Sequence, residues 1–213
     1  MKIGKRHIDH IVYAVPDLEE ACKYLEWVLG VTPVFGGYHK TQGTKNALLN
    51  LGASCYLEIL AIDDSNELIK DSRWMGVDFV NEARVARWAI KSDSLLEDQQ
   101  NLRHYNPTMG EIFAGSRETP AGDLLEWEMI LPLVNPAVEL APFMVNWSSS
   151  SVHPTEALSE VCALHSIEFG HENPKATQDL FESLNVDHDI KDANEAYITI
   201  QIEAKSGKIV RLR

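Results

Sequence analysis

The stretch Val34 to Asp64, VFGGYHKTQGTKNALLNLGASCYLEILAIDD, decides how the rest of the chain reads. In Cys55-Tyr56-Leu57-Glu58-Ile59-Leu60 the side chains alternate, so Leu57 and Ile59 share one strand face while Tyr56, Glu58 and Leu60 share the other. A carboxylate at the centre of an apolar strand is costly unless it is paired, binds a metal or faces a wet cavity. Glu58 therefore demands a partner. Gly36-Gly37 reads as a turn leading into a polar loop that carries His39, and Gly52-Ala53-Ser54 as a second turn. Around them Val31–Phe35, Lys45–Leu51 and Ser54–Ile62 read as three successive strands.

Upstream, Ile8–Val15 is a strand with His10, Val12 and Ala14 on one face, so His10 occupies a strand centre as Glu58 does. Asp17 caps a helix with Glu19 and Glu20 in its first turn, Leu18, Ala21, Leu25, Val28 and Leu29 along its apolar stripe, and Gly30 at its end. The first unit is βαβββ. After a charged connection, 64–83, the pattern returns: strand Val85–Ile90, helix Asp93–His104, strands Ile112–Gly115 and Leu124–Leu131, with one strand near Ser116–Thr119 hard to place. A proline-rich linker, 134–160, holds a serine run from Ser148 to Ser151. A third pass follows, with strand Ala163–Phe169, helix Pro174–Leu184, and strands Asp187–Asp192, Ala196–Ala204 and Lys208–Leu212. The expected fold is α+β: tandem βαβββ modules, 7–63 and 84–133 within a unit spanning 1–133, forming a cupped mixed sheet, with a third, partial βαβββ-like module at 161–213.

Composition narrows the function. With 213 residues, 45% of them hydrophobic, the chain can bury a real core. A formal net charge of −13 disfavours nucleic acid and anionic membranes as partners, since both need a basic surface. Cys22, Cys55 and Cys162 are far apart, which argues against a disulfide framework and for a reducing, cytoplasmic setting. The basic start followed by Asp9 and Pro16-Asp17 does not read as a signal peptide, and no apolar run is long enough to span a bilayer.

The residues His10-Ile11-Val12, Asp17-Leu18-Glu19-Glu20-Ala21, Gly37-Tyr38-His39 with Gly43-Thr44-Lys45-Asn46, and Tyr56-Leu57-Glu58 together resemble the glyoxalase-like branch of the vicinal oxygen chelate superfamily. Gly115-Ser116-Arg117, Pro120-Ala121-Gly122 with Trp127, and Pro142 to Trp147 with His153-Pro154 are similar to what that branch carries downstream. The resemblance implies a divalent metal (Zn, Mn, Fe or Ni) in the cup, held from the first and last strand of each module, which gathers neighbouring oxygens of a substrate. By position it gives His10, Glu58 and Glu126 as metal ligands. The fourth place falls on Arg87, or on Trp88 with a one-residue slip, and neither is an ordinary ligand. Arg87 could instead replace the metal's charge and pair with Glu58 or Glu126.

Each of these has a plainer reading: His10 as a core histidine, Glu58 as a buried ion-pair member, Arg117 as a surface charge, and Glu128 as a competitor for Glu126 on the same face, with Trp127 as core on the other. His153, His165, His171 and His188 read as structural or exposed. Two functions are expected from these residues. One is a metal-dependent enzyme (lyase, isomerase or ring-cleaving dioxygenase) with His39 or Glu126 handling a proton and His39, Asn46, Arg87 and Arg117 contacting a small-molecule substrate. The other is a metal-free protein that sequesters a small ligand in the same cup. Either works as a monomer or homodimer.

Overall fold

The structure, a computed structural model, describes residues 6–69, 73–118, 122, 124–147, 152–159 and 161–213. The first module is β1 (Ile8–Ala14), α1 (Leu18–Leu29), β2 (Val34–His39), β3 (Thr44–Asn50) and β4 (Tyr56–Ile62). The Asp17 carboxylate accepts the Glu20 amide at 2.9 Å and Gly30 closes α1 in the left-handed region at φ 70°, as the sequence signals predict. The second module is β5 (Arg84–Lys91), α2 (Leu95–Tyr105), β6 (Ile112–Glu118), β7 (Leu124–Ile130) and β8 (Phe143–Asn146). The third is β9 (Ala163–His171), α3 (Pro174–Ser183), β10 (Ile190–Asp192), β11 (Tyr197–Glu203) and β12 (Ile209–Leu212).

The first two modules form one eight-stranded mixed sheet in the order β2-β3-β4-β1-β5-β8-β7-β6, and the third forms a separate sheet, β10-β9-β11-β12. The long sheet curls until its two edge strands, β2 and β6, approach each other, so one face becomes the inside of a cup. Its outer face is covered by α1, α2 and the C-terminal sheet, in one continuous core that includes Ile11, Leu57 and Trp88 together with Phe169 and Phe181. Trp88 stacks at a tilt on Phe169 with ring centroids 4.9 Å apart. The third module thus covers the outer face of the long sheet.

Two segments depart from the sequence reading. Gly36-Gly37 is no turn: β2 runs through it with a bulge between Phe35 and Gly37, where Gly37 has φ 137°, and the chain reverses only after His39. A glycine pair suits a bulge as well as a turn, and the flanking residues alone do not separate the two. The stretch 134–160 is not simply a linker, because it supplies β8, which lies between β5 and β7 and completes the second module. Four residues between prolines and a polar run are too short to show a period.

Candidate functional site

The cup interior divides into a polar and an apolar half. On the first module, His10, Asn46 and Glu58 are all buried and line one small inner cavity of about 30 Å³. His10 and Glu58 come from parallel neighbours, since β1 pairs with β4 with Val12 opposite Glu58. Asn46 is next to them on β3, and its amide N–H donates to Glu58 Oε1 at 2.6 Å. Its own Oδ1 is buried without a hydrogen-bond partner, so the cavity presents an acceptor that wants a donor.

Asp9 orients His10. A register shift between Ile8 and His10 bulges β1 at Asp9, which lets this fully buried carboxylate accept the imidazole Nδ1–H of its neighbour at 2.7 Å. The indole of Trp147 and the Nε2 of His153 also donate to Asp9, at 3.0 and 3.2 Å. Burial alone would raise the Asp9 pKa, but the hydrogen bonds and charges of His10 and His153 outweigh it and hold the carboxyl well below the usual range. With Nδ1–H committed to Asp9, His10 Nε2 faces Glu58 Oε2 at 3.7 Å. At that distance the two are not hydrogen-bonded to each other, and both face the same small cavity.

His39 stands on the other side of the same carboxylate. It is buried at the end of β2, its Nδ1 is 3.1 Å from Thr44 Oγ1, and its Nε2 is 3.9 Å from Glu58 Oε1. The sequence placed His39 in a loop; the β2 bulge carries it into the cup instead. Thr44 is held in turn by the Trp74 indole N–H at 3.1 Å.

The second module supplies no counterpart to these polar groups. Ala89 lies opposite Phe143 in the β5–β8 pair as Val12 lies opposite Glu58 in the β1–β4 pair, so Phe143 takes the place of Glu58 and Arg87 that of His10. Phe143 packs edge-on against the His10 ring at 5.1 Å. Arg87 is fully buried but bonds the carbonyls of Ala86, Leu133, Pro136 and Ala137 at 2.5–3.2 Å, which makes it a clamp on the segment before β8. Burial pushes its guanidinium down to about 10, against Glu139, which raises it. It pairs with neither Glu58 nor Glu126. Glu126 is exposed on β7, as is Glu128, and it is Leu125, Trp127 and Met129 that point into the cup. The expectation for β7 therefore inverts: Trp127 lines the site and Glu126 does not reach it. The reason is that β8, not β7, is the last strand of the module. The Arg117 backbone pairs with Leu125 in β6, and its side chain lies outside the described residues.

The metal implied by the resemblance can be tested against this donor set. A four-ligand centre needs donors from both modules, and the second offers an aromatic ring and a guanidinium spent on carbonyls. Among the described residues no group of three or more His, Cys, Asp or Glu side chains is arranged to hold a metal ion. The residues present do not fit that centre.

The segment between the modules also belongs to the site. The 64–83 connection carries Trp74 and Met75, both buried, in a short 3-10 segment, Trp74–Phe79, that is broken at Met75 with φ 58°. A left-handed, non-glycine residue is backbone strain, and here it is at the cavity wall. Charge masked this stretch in the sequence. Beyond His39, Trp74 and Trp127 the cup opens into an outer cleft of about 570 Å³ between the β2 turn and β6.

The fold is that of tandem βαβββ modules whose curled sheet encloses a cup with an outer cleft. The glyoxalase-like domain family model matches residues 8–185, and the chain belongs to that family, within the vicinal oxygen chelate superfamily. A hypothetical protein from Staphylococcus aureus shares the fold, with 16% identity over 97% of this chain and 98% of that one and a TM-score of 0.67. Methylmalonyl-CoA epimerase from Mycobacterium tuberculosis is similar at 21% identity over 65% of this chain and 86% of its own, with a TM-score of 0.42. A hypothetical protein from Bacillus halodurans is similar at 16% identity, 67% and 94% coverage and a TM-score of 0.41. No curated protein matches the chain. Among the described residues no helix is long and apolar enough to cross a membrane.

Proposed function

We propose that this chain is a small-molecule enzyme that moves a proton at Glu58, in the manner of an isomerase or lyase acting next to a substrate carbonyl. The observation that carries this is the buried pair of His10 Nε2 and Glu58 Oε2, 3.7 Å apart, with His10 Nδ1 already committed to Asp9. In this reading Glu58 takes the proton from the carbon beside the carbonyl. The imidazolium of His10, stabilised by Asp9, donates Nε2–H to the oxygen on which negative charge develops. His39, 3.9 Å from the other carboxylate oxygen, returns a proton to carbon while His10 Nε2 takes back the oxygen-bound proton, and the proton held by Glu58 passes to His39 to reset the site. Asn46 Oδ1 receives a substrate hydroxyl. Of the reactions implied by the resemblance, ring-cleaving dioxygenation is left aside, because it would run through a metal centre that the second module does not complete.

A second reading, sequestration without chemistry, draws on the apolar half of the cup, where Trp127, Met129, Phe143 and Val145 face the cavity. The test is solvent deuterium exchange into aryl-substituted 2-oxo and 2-hydroxy acids, phenylpyruvate and mandelate among them, followed by NMR with and without EDTA, alongside elemental mass spectrometry of the purified protein. Exchange that survives EDTA and falls by about 10²–10⁴ in Glu58→Gln is the expected result. Exchange lost with EDTA and restored by a divalent ion would overturn the metal-independent mechanism. Probes that bind but exchange equally in wild type and Glu58→Gln would leave sequestration as the function.

A further inference from the structure

The outer cleft has a chemistry of its own. Its volume, about 570 Å³, is in the range of small-ligand pockets, whereas the inner cavity of about 30 Å³ admits only a group the size of a hydroxyl or carbonyl. The two share His39, Trp74 and Trp127, so one ligand can lie in the cleft and present a small head to Glu58. The walls are flat. Gly115 lies under Trp127, where an added Cβ would come within 2.5 Å of the indole, so the β6 backbone and the ring form one level surface. Phe35 and Tyr38, 40% and 45% exposed with ring centroids 5.3 Å apart, stand at the opposite rim with unfilled aromatic surface.

The charge of the cleft departs from that of the molecule. The chain carries −13 overall, yet among the described residues that line the cleft there is no carboxylate and one cation, the exposed Lys40. Lys40 is held at the mouth because its carbonyl accepts the Asn66 side-chain amide at 2.7 Å, while the amides of Gln42 and Gly43 close the turn on His39. An acidic protein that keeps acid groups out of one aromatic cleft, and sets a lysine at its edge, favours an anion there over a cation.

We infer that the ligand of this protein is a flat, mainly apolar or aromatic monoanion, with its body between β6 and the β2 rim, its charge toward Lys40 and a small oxygen-bearing head at Glu58. The head rests on the proton-transfer reading above; the body and charge stand on the cleft alone. The probe is 1-anilinonaphthalene-8-sulfonate, a flat apolar anion, read by energy transfer from the cleft tryptophans, with uncharged N-phenyl-1-naphthylamine as its neutral counterpart. The expected result is one site per chain, with the anion's affinity lowered about fivefold or more both in Lys40→Glu and in Leu124→Asp. Lys40→Glu should leave the neutral probe within about twofold of wild type. Leu124 is 61% exposed at the cleft edge, so that variant adds a carboxylate without touching the core. Unchanged anion binding in both variants, equal losses for both probes, or no binding to wild type would each overturn the inference. Anion binding is read without turnover, so its loss in Lys40→Glu and Leu124→Asp tests the cleft separately from the exchange reaction at Glu58.

Discussion

Replacing Asp9 by alanine is expected to be among the most damaging single changes in the cup, although Asp9 touches no solvent. The carboxylate is 0% exposed and accepts three hydrogen bonds, from His10, Trp147 and His153. A hydrogen bond to a charged group contributes about 1.5–3 kcal/mol, so the three together stabilise by about 4–9 kcal/mol before the desolvation of the carboxylate, several kcal/mol, is set against them. Removing one partner from such a buried set costs about 3–5 kcal/mol, because the donors stay buried and unpaired. For a chain of this length that is a fall in Tm of roughly 6–20 °C. The effect has a pH signature. Because the folded-state pKa of Asp9 is depressed, its contribution is fully present above the unfolded value of about 4 and is lost as pH falls toward the folded value. The gap in Tm between wild type and Asp9→Ala, measured by calorimetry, should be widest near pH 7 and shrink below about pH 4. A gap under about 3 °C at pH 7, or one unchanged at pH 3, would refute the assignment of Asp9 as a buried anion. Asp9→Asn makes a second check: its Oδ1 still accepts the His10 Nδ1–H, but its NH2 meets the donors of Trp147 and His153, so stability drops by less than in Asp9→Ala while the charge beside His10 is lost and any proton transfer at Glu58 is impaired.

Arg87→Met removes a buried cation that holds four carbonyls and should destabilise by about 3–5 kcal/mol in urea titration, and a loss below about 1 kcal/mol would mean that the clamp is not needed. Gly115→Ala places a methyl 2.5 Å from Trp127, so a loss of about 1–3 kcal/mol with a shifted tryptophan emission is expected, and an unchanged spectrum would show that the indole does not rest on β6. Burial, with Glu26 adding to it, pushes the Cys22 thiol up to about 11, and burial with Asp9 pushes Cys55 up to about 12. At pH 8 neither should react with a disulfide reagent within minutes in the native protein, whereas all three cysteines titrate after denaturation. Rapid labelling of Cys55 in the native state would contradict its burial.

Periodicity carried most of the fold. The faces of β1 and β4 follow from simple alternation, and α1 from its Asp17 cap and Gly30 stop, so the first module and the strand-centre places of His10 and Glu58 were legible residue by residue. The misses have local causes. A bulge breaks alternation by one residue, which hid the burial of His39 and the approach of Asp9 to His10. β8 is four residues long and lies in a proline-rich stretch, so β7 stood in for it and Glu126 was assigned a place that belongs to Phe143. Trp74 and Met75 sit among charged residues in a segment without regular period, and only tertiary contact turns them inward.

Both modules fold the same way, yet they bring different side chains to the cup they share, and the difference explains why only one of them showed its cup-facing residues in the sequence. A buried carboxylate or imidazole on an apolar strand breaks the pattern and asks for a reason, as Glu58 and His10 do. A Phe143 or Trp127 in the equivalent position satisfies the pattern and passes for core. The cost of burying the polar half is met through Asp9, Asn46 and Thr44 of the first module, with Trp147 and His153 donating to Asp9. The second module is therefore free to be apolar, and its Arg87 to hold the segment before β8 instead of serving the cup. That arrangement suits a site where one wall handles a proton and the opposite wall excludes water and receives the flat body of a ligand.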